Sequence, residues 1–367
     1  MPDAIPRRRL ATAGAALSVL AIVAGACSSG ATQSPAQSAA ASSSAPSSSA
    51  ASSGGASGGT AGAPLLVAIN KAADQQYFID LQTSFVDTVK KLGGTADKFD
   101  AKDQAPLGVS LVNDAISKGA KGIAITVPDQ SIGPAVAKAA KDAGIPLVAT
   151  DDPIKDSDGK DVPFVGFDGT DMGTKVGQEA AKLLTDAKWT TDSAKKVGVL
   201  SVEKQDLSVC NQRTDAEKAE VQKAGVAAGS IYPVASDATV TGAQSASAPV
   251  ITAHPDITNW IVMGCNDESV LGGINALSAA AVKPDNIIGV GLGAYEACRP
   301  WAANQPNGFK AALYISGVDV GAAAAQVLYD NVVGGKPLPA KTVAKTTIVD
   351  PTTYASVFSK ESLANCK

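Results

Sequence analysis

The chain has 367 residues, 31 basic against 35 acidic, and a net charge of -4; that length allows two domains of ordinary size, and the acidic balance excludes a nucleic-acid binder working through a broad basic face. Loss of residues 1–26, which carry Arg7, Arg8, Arg9 and Asp3, would bring the charge to -6. His254 is the only histidine, so histidine-rich metal sites are excluded and any nucleophile-histidine-acid arrangement hangs on one residue, which its TAHPDITNW setting makes a polar surface turn ahead of a strand.

Three arginines, an apolar run from Leu10 to Val23 and the small residues Ala24-Gly25-Ala26 before Cys27 read as a secretory signal over residues 1–26. The run is too short and too rich in Ala and Gly for a comfortable membrane span. A cysteine directly after such a site resembles the bacterial lipobox, which implies that Cys27 is the lipid anchor of a protein held on the outer face of the cytoplasmic membrane. Ala24 stands where a larger aliphatic residue is usual, and an ordinary cleaved signal with an incidental Cys27 is the alternative. The arginine run also permits a twin-arginine export route. Residues 28–63 hold only Ser, Ala, Gly, Thr, Pro and Gln; with nothing to bury against the entropy of ordering, they form a flexible linker.

From residue 64 the pattern changes. LLVAIN (65–70), GIAITV (122–127), PLVATD (146–151), KVGVLSV (196–202), NWIVMGC (259–265) and IIGVGL (287–292) are short apolar runs of the kind that form buried parallel strands. VSLVNDAISKGA (109–120) and IGPAVAKAAKDAG (132–144) carry apolar residues at three and four spacing and end in Gly, as amphipathic helices do. The alternation predicts an α/β protein of two Rossmann-like lobes joined by a hinge, one formed by residues 64–168 plus 317–345 and the other by 169–316 plus 346–367. No GxGxxG follows the first strand, and GVGLGA (289–294) ends a late one, so a dinucleotide site is poorly supported. In an exported protein Cys210, Cys265, Cys298 and Cys366 are expected to oxidise. Of their three pairings, Cys210–Cys265 with Cys298–Cys366 is favoured, because the first two fall near neighbouring strand ends.

Open α/β sheets bind ligands beyond the carboxyl ends of their strands. There the sequence puts Lys71, Asp151, Asp152, Phe167, Asp168, Arg213, Asn266, Asp267 and Glu296, with Tyr77 close by. Carboxylates, amides, Lys and Arg satisfy the donors and acceptors of sugar hydroxyls, and aromatic rings pack on the apolar C–H faces of the sugar. A missing hydroxyl would strand a buried polar group at about 1–3 kcal/mol, so epimers should be told apart. Each residue also has a plainer reading. Asp129 and Asp267 suit helix N-caps or first turns, Asp151-Asp152-Pro153 suits a turn, Arg213 and Lys71 suit solvated surface, and Tyr77 and Phe167 suit core. Their common sheet edge is what joins them.

GAKGIAITVPDQSIGPAVAKA, PLVATDD, HPDITNWIVMGCNDESVLGG and DNIIGVGLGAYEA resemble, in order and over nearly all of 64–367, the type I periplasmic sugar-binding proteins of bacterial ABC transporters, and most nearly their arabinose-binding members. The resemblance implies a bilobed receptor that closes on one monosaccharide and docks on a membrane permease. It assigns sugar contacts to Lys71, Gln75, Tyr77, Thr126, Asp151, Asp152 and Phe167 in the first lobe. In the second it assigns them to Leu207 or Val209, Arg213, Cys265, Asn266, Gly293 and Glu296. Gln75 stands where arabinose-binding members have a carboxylate, Cys265 where they have methionine, and Gly293 where they have asparagine. Glu296 is longer than the aspartate it matches. Loss of the asparagine side chain leaves room for a hydroxymethyl group, a furanose ring or water.

The expectation is a monomeric, lipid-anchored, extracytoplasmic solute-binding protein. It takes an arabinose- or galactose-like pentose or hexose, with no cofactor, metal or catalysis, and delivers it to an ABC permease. A sugar-sensing receptor for a membrane signalling partner is the first alternative. A glycoside hydrolase is the second; it needs two opposed acids roughly 5–10 Å apart, which adjacent Asp151 and Asp152 do not supply by themselves.

Overall fold

The computed structural model describes residues 62–367; the leader, Cys27 and the linker up to residue 61 lie outside the described residues. The chain first runs β1 (Leu65–Asn70), α1 (Gln76–Lys91), β2 (Thr95–Asp100), α2 (Ala105–Ser117), β3 (Gly122–Ile125), α3 (Gly133–Asp142), β4 (Leu147–Thr150) and β5 (Phe164–Gly166). It continues with α4 (Gly169–Asp186), β6 (Val197–Glu203), α5 (Ser208–Lys223), β7 (Ile231–Ala235), α6 (Val240–Ala253), β8 (Asn259–Gly264), α7 (Asp267–Ala279), β9 (Ile287–Gly293), α8 (Cys298–Ala302) and β10 (Phe309–Tyr314). Then come α9 (Gly317–Gly334), β11 (Lys341–Val343), β12 (Thr347–Val349), α10 (Tyr354–Val357) and α11 (Lys360–Ala364).

The strands make two six-stranded sheets, in the orders β11-β5-β4-β3-β1-β2 and β12-β10-β9-β8-β6-β7. Every pairing is parallel except β10 with β12. The chain is therefore α/β, and it passes between the sheets three times: from β5 to β6, from β10 to β11 and from β11 to β12. β3, β4, β8 and β9 are buried on both faces, which is why they read as continuous apolar runs. β2 and β7 lie at the edges and are half exposed.

Two helix pairs pack with their backbones almost touching. A Cβ on Gly317 or Gly321 of α9 would run into the main chain of Tyr77 or Leu81 on α1, and one on Gly173 or Gly177 of α4 into the main chain of Arg213 or Glu217 on α5. Only glycine permits an approach this close. The α4 and α9 N-termini are capped by Asp168, which accepts from Asp171 N at 3.1 Å, and Ser316, which accepts from Asp319 N at 3.0 Å. Cys210 is bonded to Cys265 and Cys298 to Cys366. His254 closes α6, with its ring 4.2 Å from that of Tyr232. No helix among the described residues is long and apolar enough to cross a membrane.

Candidate functional site

A cavity of about 420 Å³ opens at the carboxyl ends of both sheets. The side of the first sheet supplies Lys71, Gln75, Tyr77 and Asp151, and that of the second supplies Leu207, Arg213, Cys265, Asn266 and Gly293. Apolar wall comes from Ala72, Phe78, Leu292 and Ile315.

On the first side, Lys71 follows β1 and places its Nζ 2.5 Å from Asp152 Oδ2 and 5.0 Å from the Phe78 ring centroid. Burial works against the ammonium, but Asp152 and Asp151 outweigh it and raise the Lys71 pKa, so the lysine stays charged. Asp151 holds a left-handed backbone, φ 59°, a conformation uncommon for any residue but glycine. Its Oδ1 is buried and unpartnered. Tyr77 Oη is buried and unpartnered too; burial, with Asp151 beside it, holds the phenol well above the usual tyrosine range, leaving a neutral group that can donate and accept.

On the second side, Arg213 projects from α5 and is 5% exposed. Its Nη1 donates to the Cys265 carbonyl at 3.0 Å, whereas Nε and Nη2 are buried without a partner. No carboxylate among the described residues lies within ion-pair distance of it. Asn266 caps α7, accepting from Ser269 N at 3.0 Å, and its amide donates to the Ala238 carbonyl at 3.0 Å. Asp267, one residue on, accepts from the backbone amides of Glu296 (2.8 Å) and Ala297 (3.1 Å). Burial still lifts its pKa to about 6. Burial, with Asp267 adding, pushes half-buried Glu268 up to about 8.

Five residues assigned by the resemblance lie off this cavity. Thr126 is fully buried and shares a 2.7 Å hydrogen bond with Thr150. Asp152 is fully buried and gives Oδ2 to Lys71, with Oδ1 left unpartnered. Phe167 and Val209 border a second cavity of about 630 Å³, bounded also by Ile154, Val162 and Gln212; the Phe167 ring still stands 6.3 Å from that of Tyr77. Glu296 pairs with Arg299 at 2.7 Å. Sequence reasoning did not single out Asp100 at the end of β2, Lys102 and Asp103 after it, Lys204 after β6, Asp237 and Thr239 after β7, or Glu268, all of which line the cavity.

The halves also touch beside the cavity. The Gln130 side chain donates to the Pro153 carbonyl at 2.5 Å and accepts from Ser208 N, at the start of α5, at 2.9 Å. Asn365 Nδ2 donates to Asp80 Oδ2 on α1 at 3.3 Å.

A polar, partly apolar cavity of this size fits a small solute. Its unpartnered donors and acceptors face one another from two sheets, and they suit a neutral molecule rich in hydroxyl groups. The periplasmic binding protein domain family matches residues 66–336. An ABC transporter L-arabinose-binding periplasmic protein of Azospirillum brasilense is 30% identical over 288 residues, covering 77% of this chain and 85% of its own length. The L-arabinose-binding periplasmic protein of Escherichia coli (strain K12) is 28% identical over 226 residues, covering 60% of this chain and 68% of its own. A Mycobacterium smegmatis structure in complex with β-D-fucofuranose is similar in fold, with a TM-score of 0.69 at 20% identity over 83% of this chain and 97% of that one. The chain belongs to the periplasmic binding protein family, with its type I fold, among the periplasmic sugar-binding proteins of ABC transporters.

Proposed function

We propose that the protein captures one monosaccharide, a pentose or hexose in pyranose or furanose form, by closing two hinged lobes on it, and presents it to an ABC permease. The lobes are 64–168 plus 317–345 and 169–316 plus 346–367, a division supported by the membership of the two sheets. The observation that carries the reading is the convergence of buried, unpartnered Asp151 Oδ1, Tyr77 Oη and Arg213 Nε and Nη2 on one cavity fed by both sheets. Left dry, each such group costs about 1–3 kcal/mol; sugar hydroxyls would satisfy them together. The sugar stabilises the closed state because only that state offers both sets of contacts. The names of the two arabinose-binding relatives support a pentose or a close hexose analogue.

Within this reading Lys71, Gln75, Tyr77, Asp151, Arg213 and Asn266 contact the sugar, Leu207 and Gly293 shape the wall, and Asp152 holds Lys71. Cys27, lipidated after removal of residues 1–26, tethers the receptor through its linker to the outer face of the membrane. The protein acts as a monomeric receptor and performs no chemistry on its ligand. Thermal-shift titration against pentoses, hexoses and their furanoses tests this: one or a few sugars should raise the midpoint while their epimers do not. A panel without any shift overturns the sugar assignment. Mass analysis of the mature N-terminus tests the anchor, which fails if Cys27 carries no lipid.

A further inference from the structure

The Cys210–Cys265 bridge lies behind the second side of the cavity, away from any chain terminus. Cys210 is in the first turn of α5, three residues before Arg213, and is fully buried. Cys265 directly follows β8, lines the cavity and is 3% exposed. The carbonyl that takes Arg213 Nη1 belongs to this same Cys265. A closed circuit results: from Arg213 back along the helix to Cys210, through the two sulfurs to Cys265, and from its carbonyl by hydrogen bond to the guanidinium. Leu207 and Val209 pack around the sulfurs. The next residue, Asn266, caps α7.

We infer that this cross-link is a positioning element of the binding site. It fixes the α5 first turn and the β8–α7 connection as one unit, so that Arg213 offers Nε and Nη2 to the cavity at a set angle. An arginine has many rotamers to lose on binding, and holding it in place beforehand reduces that cost. The Cys298–Cys366 bridge joins α8 to the C-terminal residues and borders neither cavity, so it serves as a matched control.

The inference rests on the sugar-binding reading, and two measurements separate the fates of the two. Cys210→Ala/Cys265→Ala, a second version with serines, and Cys298→Ala/Cys366→Ala are compared with the parent. Hydrogen exchange on the sugar-free proteins should show faster exchange over residues 207–214 and 264–270 in the first pair of variants and not in the control. Calorimetry with the best sugar from the panel should show a loss of tenfold or more in the first pair and less than twofold in the control. An equal loss in the control, unchanged affinity and exchange in the first pair, or failure of both first-pair variants to fold would overturn the positioning role. If the parent binds no sugar while the exchange pattern appears, the sugar reading falls and the positioning stands.

Discussion

The two sides of the cavity each present a cation, half-buried Lys71 and buried Arg213, but in opposite electrical states. Lys71 is neutralised within its own half by Asp152 at 2.5 Å. Arg213 has only a carbonyl for one of its nitrogens and leaves two donors unpartnered. A buried pair that loses one member strands the other charge, whereas a buried cation with free donors gains when a ligand supplies acceptors. The cation of the first side is therefore paired by folding, and that of the second is completed by binding.

The largest expected effect tests the first half of that contrast. Lys71→Met should cost about 3 kcal/mol of folding stability in a urea melt, because Asp152 remains buried without its partner. Next, Arg213→Ala should weaken sugar binding about thirtyfold, near 2 kcal/mol, with unliganded stability unchanged or slightly higher. Equal losses of stability in the two variants would break the comparison.

A third variant, Glu268→Gln, sharpens the picture of the second side. Burial raises the Glu268 pKa from 4.5 to about 8, so the folded state holds that proton more tightly than the unfolded chain does. Its stabilising contribution is full below about pH 4.5 and is lost as pH rises through about 8. The glutamine variant should show a flatter pH profile over that window and gain about 1–2 kcal/mol at pH 8, a figure reduced for partial exposure. A parent profile without this fall would remove the assignment. The smallest shift is expected from Asp151→Gly, which relieves the left-handed backbone: unliganded stability should rise by under about 1 kcal/mol while sugar affinity falls. A loss of both would mean that the carboxylate serves folding more than binding.

How much of this was legible in the sequence depended on burial. The six apolar runs correspond to β1, β3, β4, β6, β8 and β9, whose two covered faces leave little choice of residue. β2, TADKFD, and β7, IYPVA, are edge strands with mixed faces, so no apolar run marked them. Overlooking them also hid the cavity-lining residues at their ends, Asp100, Lys102 and Asp103 for β2 and Asp237 to Thr239 for β7. β10, FKAALY, was overlooked although five of its six residues are buried; Lys310 interrupts its run. The acidic pair was recognised, but a sequence does not tell which of two adjacent carboxylates faces the cavity. The left-handed turn at Asp151 decides it, sending Asp152 to Lys71 and leaving Asp151 at the cavity wall. Glu296 lies off the cavity for a related reason: Arg299, one helical turn on, pairs with its carboxylate.

Behind both walls stand glycines that touch the main chain of the very residues in front: Gly317 against Tyr77 and Gly173 against Arg213. The cavity wall is thus propped from the rear, and a single added methyl there would displace a lining residue without altering its identity. Selection could retune which solute is taken from a layer that never meets it, and a search for specificity confined to the lining would pass that layer by.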